Sequence, residues 1–251
     1  TTFHVAVRAH ARRQRDLLDQ NWDKTDWTRP QAEHVLARID RVLELLPRAQ
    51  KQAHERIIGQ RLVDNKEKIL SLYDSDVHVI VRGKAGADVE FGNTVLLGEN
   101  RQGIILDFQV FKDQAPADSP LLMPSLMRVW ENLGRQVGAV AGDRGFFSQA
   151  NKAASKGSAT FDGLCPRAPQ ELKQRMKRKQ FAMLQRRRSQ TEARIGILKA
   201  GFFGRPMRAK GFRNRELAVA WGVLTHNLWM LARMRKMERK KKKEEPLLKA
   251  A

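Results

Sequence analysis

Four acidic residues have the type and placing to do chemistry. Asp74 follows the apolar run Ile69-Leu70-Ser71-Leu72-Tyr73, and Asp76 lies two residues on. Asp143 follows a second apolar run, Val137 to Ala141, and precedes Arg144-Gly145-Phe146-Phe147. Glu192 lies in the basic stretch between Arg188 and Lys199. Carboxylates at the ends of separate strands are hard oxygen donors suited to Mg²⁺. Two such cations about 3.5–4 Å apart can activate an oxygen nucleophile and stabilise a leaving oxygen, which is what cutting a phosphodiester requires. A single strand-end Asp is more often a turn former or helix cap. Several of them in a basic chain weaken that plainer reading.

On a helix at about 100° per residue, Arg188, Glu192 and Lys199 fall within roughly 40° of one another. Such a row has two readings, and spacing does not choose between them. It is either an ordinary surface ion-pair row or a metal ligand between two phosphate clamps.

The surrounding charge favours a polyanionic partner. The 251 residues carry 48 Lys and Arg against 27 Asp and Glu, a formal net charge of +21. A surplus of this size opposes compaction unless a partner offsets it, and nucleic acid is the usual partner. With 41% hydrophobic residues the chain can still bury a sizeable core. Cys165 is the only cysteine, so no internal disulfide forms; in Gly-Leu-Cys-Pro it reads as a small buried apolar residue. No run is long and apolar enough to suggest a membrane span, and no membrane partner is expected. The six histidines lack zinc spacing, and His226 reads as a helix-packing residue. No phosphate-binding glycine loop implies a nucleotide cofactor. Phe202 and Phe203 could stack on bases, but packing beneath their loop is the favoured reading.

The elements that must position these groups follow from periodicity. Residues 1–67 read as a helical N-terminal segment. Its first residue is Thr rather than Met, so the true N-terminus is expected to be missing. Thr28 caps a helix with Pro30 in its first turn, Pro47 breaks or kinks it, and a second helix continues toward Val63. From Lys68 the pattern is that of strands: Ile69 to Tyr73, extended by Val77 to Val81, then Val89 to Leu97 and Ile104 to Phe111. The last two are joined by hairpin chemistry at 98–103. A helix over Pro120 to Leu133, a strand over Val137 to Ala141, a helix over Ser148 to Lys156 and a strand over Ala159 to Cys165 follow. One basic helix spans Glu171 to Lys199, a basic glycine-rich loop spans Gly201 to Arg205, and a last helix spans Arg213 to Met237. A disordered basic tail, 238–251, ends the chain. The expected fold is α/β.

These segments resemble the DDE transposases of bacterial insertion sequences over roughly Lys68 to Arg233. The most specific piece is Arg-x₃-Glu-x₆-Lys, matched by Arg188, Glu192 and Lys199. The family's Tyr three residues before that Arg is Gln185 here. Asp-x-Gly-Tyr is matched by Asp143-Arg144-Gly145-Phe146, and the Asp-x-Asp after the first strand by Asp74-Ser75-Asp76. Phe91-Gly92 and the Asp118 segment are similar to the family's hairpin and following loop. The resemblance implies a ribonuclease-H-like mixed sheet flanked by helices over 68–237, preceded by residues 1–67 as a remnant of the family's helical DNA-binding domain. It implies a triad of Asp74, Asp143 and Glu192, with Asp76 the rival for the first place. The triad would hold two Mg²⁺ ions, for which Mn²⁺ can substitute. Arg188 and Lys199 would clamp phosphates near the scissile bond. Arg186, Arg187, Arg194, Lys177 and Arg178 would hold the DNA backbone. The implied activity is cleavage of transposon ends and their joining to target DNA, by a homodimer or larger assembly on DNA, in the bacterial cytoplasm at the nucleoid. The alternatives are a ribonuclease-H-like nuclease or resolvase without strand transfer, and a domesticated DNA-binding protein that does not cut.

Overall fold

Helix propensity and amphipathic spacing carry most of this chain into helices, and short strands fill the gaps between them. The computed structural model describes residues 2–84, 87–204 and 206–249, with side chains left out at 2–4, 82–84, 87–88 and 240–249. The protein is a helix-rich mixed α/β chain of two compact units, residues 1–93 and 94–251.

In the first unit, α1 (Thr2–Asn21) and α2 (Arg29–Ile57) form a helical hairpin. Thr28 stands at the N-cap of α2, and its backbone N–H donates to Gln31 Oε1 at 2.8 Å. Ala32 and Leu36 are buried. Arg15 reaches from α1 to Asp40 at 3.1 Å and back to Asp19 at 2.8 Å. Against expectation α2 runs through Pro47 without a break. Pro47 removes one backbone donor inside the helix, and the turns on either side carry the helix through it. The helix also stops at Ile57 rather than continuing toward Val63.

Residues 69–73 are irregular, so the expected first strand does not form. Its backbone is satisfied by side chains instead. The Gln52 amide on α2 accepts from Ile69 N–H at 2.7 Å and donates to Ile69 C=O at 3.1 Å. Ser71 Oγ accepts from the N–H groups of Tyr73 and Asp74. Such local bonds compete directly with a ladder. Strands β1 (His78–Lys84) and β2 (Ala87–Gly92) then pair antiparallel, Val79 opposite Phe91. The expected strand over 89–97 divides at Gly92, whose φ of +149° suits glycine and ends the extension.

The second unit opens with the antiparallel hairpin β3 (Val95–Glu99) and β4 (Ile105–Val110), as the 98–103 turn predicts. Asn100 Oδ1 shapes that turn by accepting from the N–H groups of Gln102 and Ile104. Helix α3 (Asp118–Leu133) follows. Then β5 (Ala139–Gly142), α4 (Gln149–Gly157) and β6 (Phe161–Leu164) make a parallel β-α-β unit. Ser148 caps α4, accepting from Asn151 N–H at 3.1 Å. Among the described residues the strands form three separate two-stranded sheets rather than one sheet.

The basic stretch is not one helix but two, α5 (Pro169–Met176) and α6 (Lys179–Ile197). Arg175 builds the corner. Its guanidinium pairs with Asp162 of β6 at 2.9 Å and lies 4.4 Å over the Phe181 ring, which is buried at the start of α6. Gly163 lets α6 come close, since a Cβ there would press on Leu184. A π-helical turn, Leu198–Phe202, follows, and α7 runs from Phe212 to Lys249. The tail therefore continues as helix to Lys249 instead of being disordered; Lys, Arg and Glu are good helix formers.

Two hydrophobic clusters hold this unit. One joins Ile105 and Val110 of β4 to Leu198, Val219 and Val223, with Phe202 and Phe203 packed against it. Both phenylalanines pack, as the favoured reading expects. His226 is fully buried beside Phe202, its Nδ1 3.3 Å from Asn227 Oδ1, also as expected. The other cluster joins Leu122 of α3 to Phe147 and Leu164. Between them Asp107 of β4, itself buried, takes two 2.7 Å hydrogen bonds from Arg128 of α3 and one of 2.6 Å from Ser125.

Candidate functional site

The end of β5 and the start of α3 bring two carboxylates together. Asp143 directly follows Gly142, where the strand geometry predicts it, and its Oδ1 accepts from Gly145 N–H at 2.9 Å. Asp118 is the first residue of α3. A Cβ on Gly145 would meet Asp118 Oδ2 and sit 3.1 Å from Asp143 Oδ1, so a larger residue here would push the Asp118 carboxylate aside. The crowding has an electrostatic signature. Partial withdrawal from water pushes the Asp118 pKa above its usual value, and the nearby Asp143 charge pushes it further the same way. The chain segment holding Asp118 was legible in the sequence, but its role beside Asp143 was not. Nothing in the spacing of the two positions signals that they meet.

Asp143 also lines an open depression of about 580 Å³. Arg144, Arg186 and Arg188 contribute its cationic side, and Cys165, Leu172 and Met176 an apolar part. Cys165 is buried, as its setting suggests. Gln185 belongs to the same lining and anchors α6 by donating to Gly163 C=O at 2.6 Å. The Nε of Arg188 is buried and has no hydrogen-bond partner among the described residues.

Glu192 is exposed on α6, one turn beyond Arg188, and its Oε1 lies 3.4 Å from Arg188 Nη1. The two thus share a face, as their spacing predicts. Lys199 lies past the end of α6 in the π-helical turn, where the 100° step no longer applies.

The other expected DNA contacts divide. Arg194 Nε pairs with Glu99 Oε2 at 2.8 Å, Arg187 Nη2 lies 3.7 Å from Glu99 Oε1, and Thr191 donates to the same oxygen. Glu99 is nearly buried, so these two arginines fasten α6 to the β3–β4 hairpin. Arg186, Lys177 and Arg178 are exposed, the last two at the α5–α6 corner.

Asp74 and Asp76 lie in the first unit, in the irregular segment before β1. Their backbones are held by Ser71, which accepts from Asp74 N–H, and by Asn93, which donates to Asp76 C=O. Arg205 of the glycine-rich loop lies outside the described residues. A depression of about 520 Å³ in the α1–α2 groove is lined by charges of both signs, among them Arg15 and Asp40, which neutralise each other.

The donor set suits a hard divalent cation in part. Asp118 and Asp143 supply carboxylate oxygens at one place, and a cation would relieve their repulsion. No group of three or more potential ligands is assembled among the described residues. No described helix is long and apolar enough to cross a membrane. Compared with protein-family models, with curated proteins and with solved structures, the chain matches none.

Proposed function

We propose that this protein is a DDE transposase: a Mg²⁺-dependent enzyme of ribonuclease-H-like fold that cuts insertion-sequence ends and joins them to target DNA. The observation that carries the reading is the depression beside β5. One hollow is lined both by Asp143, whose carboxylate suits a cation, and by Arg144, Arg186 and Arg188, whose guanidinium groups suit phosphates. The charge of +21 supplies the long-range attraction to DNA.

In this reading Asp143 and Glu192 are metal ligands, with the first ligand at Asp74 or its rival Asp76. Asp118 joins Asp143 as a further oxygen donor. Bound Mg²⁺ would supply an activated oxygen nucleophile and stabilisation of the leaving oxygen. The chain's own residues hold the DNA. Arg188 takes a phosphate oxygen next to the carboxylates, and Arg144 and Arg186 hold neighbouring phosphates as positioning contacts without sequence preference. Gly145 keeps the carboxylates close.

The test is a supercoiled plasmid with Mg²⁺ or Mn²⁺, alone and with a supplied matched 3′-hydroxyl end. Metal-dependent nicking together with end joining is the expected result, and Asp143→Asn should remove both. Nicking without joining would indicate a nuclease or resolvase. DNA binding without any metal dependence would indicate a binding protein that does not cut.

A further inference from the structure

Helix α7 has two apolar faces, and only one is used inside the unit. Val219, Val223, His226 and Met230 point inward and are buried. On the opposite side Leu217, Trp221, Leu224, Leu228 and Leu231 are 55%, 60%, 47%, 58% and 47% exposed. Their spacing alternates four and three residues, the a/d seam of a helix that pairs with another helix. The stripe runs about 21 Å along the axis and exposes on the order of 500 Å², at the upper end of what monomers show.

The charge pattern identifies what covers it. In a chain of net charge +21, residues 217–232 contain no charged side chain. The positions flanking the seam are Ala218, Ala220, Thr225, Asn227, Ala232 and Met234. DNA or an acidic partner would meet no cation here, whereas a second copy would meet no like charge along the stripe itself, and salt screens the net charge of the two chains. We infer that α7 is a homodimer interface that forms without DNA. Doubling the patch brings it to about the 1,000 Å² that a specific interface needs.

The stripe is near-symmetric about Leu224, so the two-fold axis passes there and the helices run antiparallel. Leu217 then faces Leu231 of the second copy, and Trp221 faces its Leu228. A parallel pair would instead lay Arg233, Arg235, Lys236 and Arg239 beside their own copies, which like-charge repulsion disfavours. The interface gives a physical basis for the paired-end chemistry proposed above, but its test reads neither DNA nor metal, so each can fail alone.

The full chain, in high salt without DNA, should sediment as a dimer at tens of micromolar. Leu224→Glu should shift it to monomer while its circular dichroism and melting temperature stay near wild type, because the position is exposed. A mixture of Leu217→Cys and Leu231→Cys chains should form a disulfide-linked heterodimer on oxidation, and neither chain alone should do so. A wild-type monomer, or a Leu224→Glu dimer of unchanged affinity, would overturn the interface. Cross-linking of either single variant with itself would overturn the antiparallel arrangement. Should Leu224→Glu fail to fold, the cross-link decides.

Discussion

Asp118 and Asp143 face each other across Gly145, and burial, reinforced by the charge of Asp143, raises the pKa of Asp118. A methyl group at Gly145 would meet the end of the Asp118 side chain, which can swing aside. Gly145→Ala is therefore expected to leave the melting temperature within a few degrees of wild type. Metal-dependent cleavage should fall at least tenfold and DNA binding persist. Unimpaired cleavage would remove the pair from the active site.

The same pair sets a pH signature. A carboxylate whose folded pKa is raised destabilises the fold once ionised, so the penalty is absent below the ordinary value of 3.8 and develops as pH rises through the folded value. Metal-free Asp118→Asn should therefore melt higher than wild type at pH 7, with the difference vanishing toward pH 3. Added Mg²⁺ should stabilise wild type more than the variant. Melting curves at several pH values, with and without Mg²⁺, check both signs.

His226 has the opposite linkage. Burial lowers its pKa from the ordinary 6.5, and the Arg194 charge lowers it further, outweighing the raising effects of Asn227 and Glu99. A neutral buried imidazole loses stability as pH falls through 6.5 toward its folded value. Wild type should lose melting temperature between pH 7 and pH 5.5. His226→Phe should flatten that slope, whatever its absolute stability. Equal slopes would place the acid sensitivity elsewhere.

Glu192→Gln separates metal ligand from surface ion pair. The pair with Arg188 is exposed, so its loss should cost at most about 1 kcal/mol. If Glu192 holds a cation, cleavage and joining disappear while DNA binding stays or strengthens. Wild-type cleavage rates in this variant would leave only the ion pair.

The arginines of α6 should divide in the same way. Arg194→Ala leaves the nearly buried Glu99 with only the Thr191 hydroxyl and the more distant Arg187, and should destabilise the fold by about 1–3 kcal/mol. Arg186→Ala touches no such pair and should lower DNA affinity and its salt dependence instead. Thermal melts and binding titrations at two salt concentrations distinguish the two.

Much of the second unit was legible because its signals are local. The apolar stretch Ile104 to Phe111, the turn chemistry at 98–103 and the apolar run before Asp143 each dictate their element within a few residues, although β4 buries the face of Ile105 and Asp107 rather than that of Ile104, Leu106 and Phe108. What was not legible depends on partners far along the chain. Ile69 to Tyr73 have strand composition, but Gln52, seventeen residues earlier, holds Ile69 at both its backbone groups. The split between α5 and α6 follows from Arg175 reaching back to Asp162. Asp118 meets Asp143 only because α3 and β5 pack in this order. Composition shows that arginines are plentiful, not which of them Glu99 has already taken.

Between β4, which carries part of one hydrophobic cluster, and α3, which carries part of the other, Asp107 and Arg128 form a bidentate ion pair. Hydrocarbon contact weakens gradually as two surfaces part, whereas a bidentate salt link is either made or broken. The unit should accordingly open by a discrete step. Amide hydrogens in β4 and α7 would then exchange as one cooperative group and those in α3, β5 and β6 as another, each with its own opening free energy.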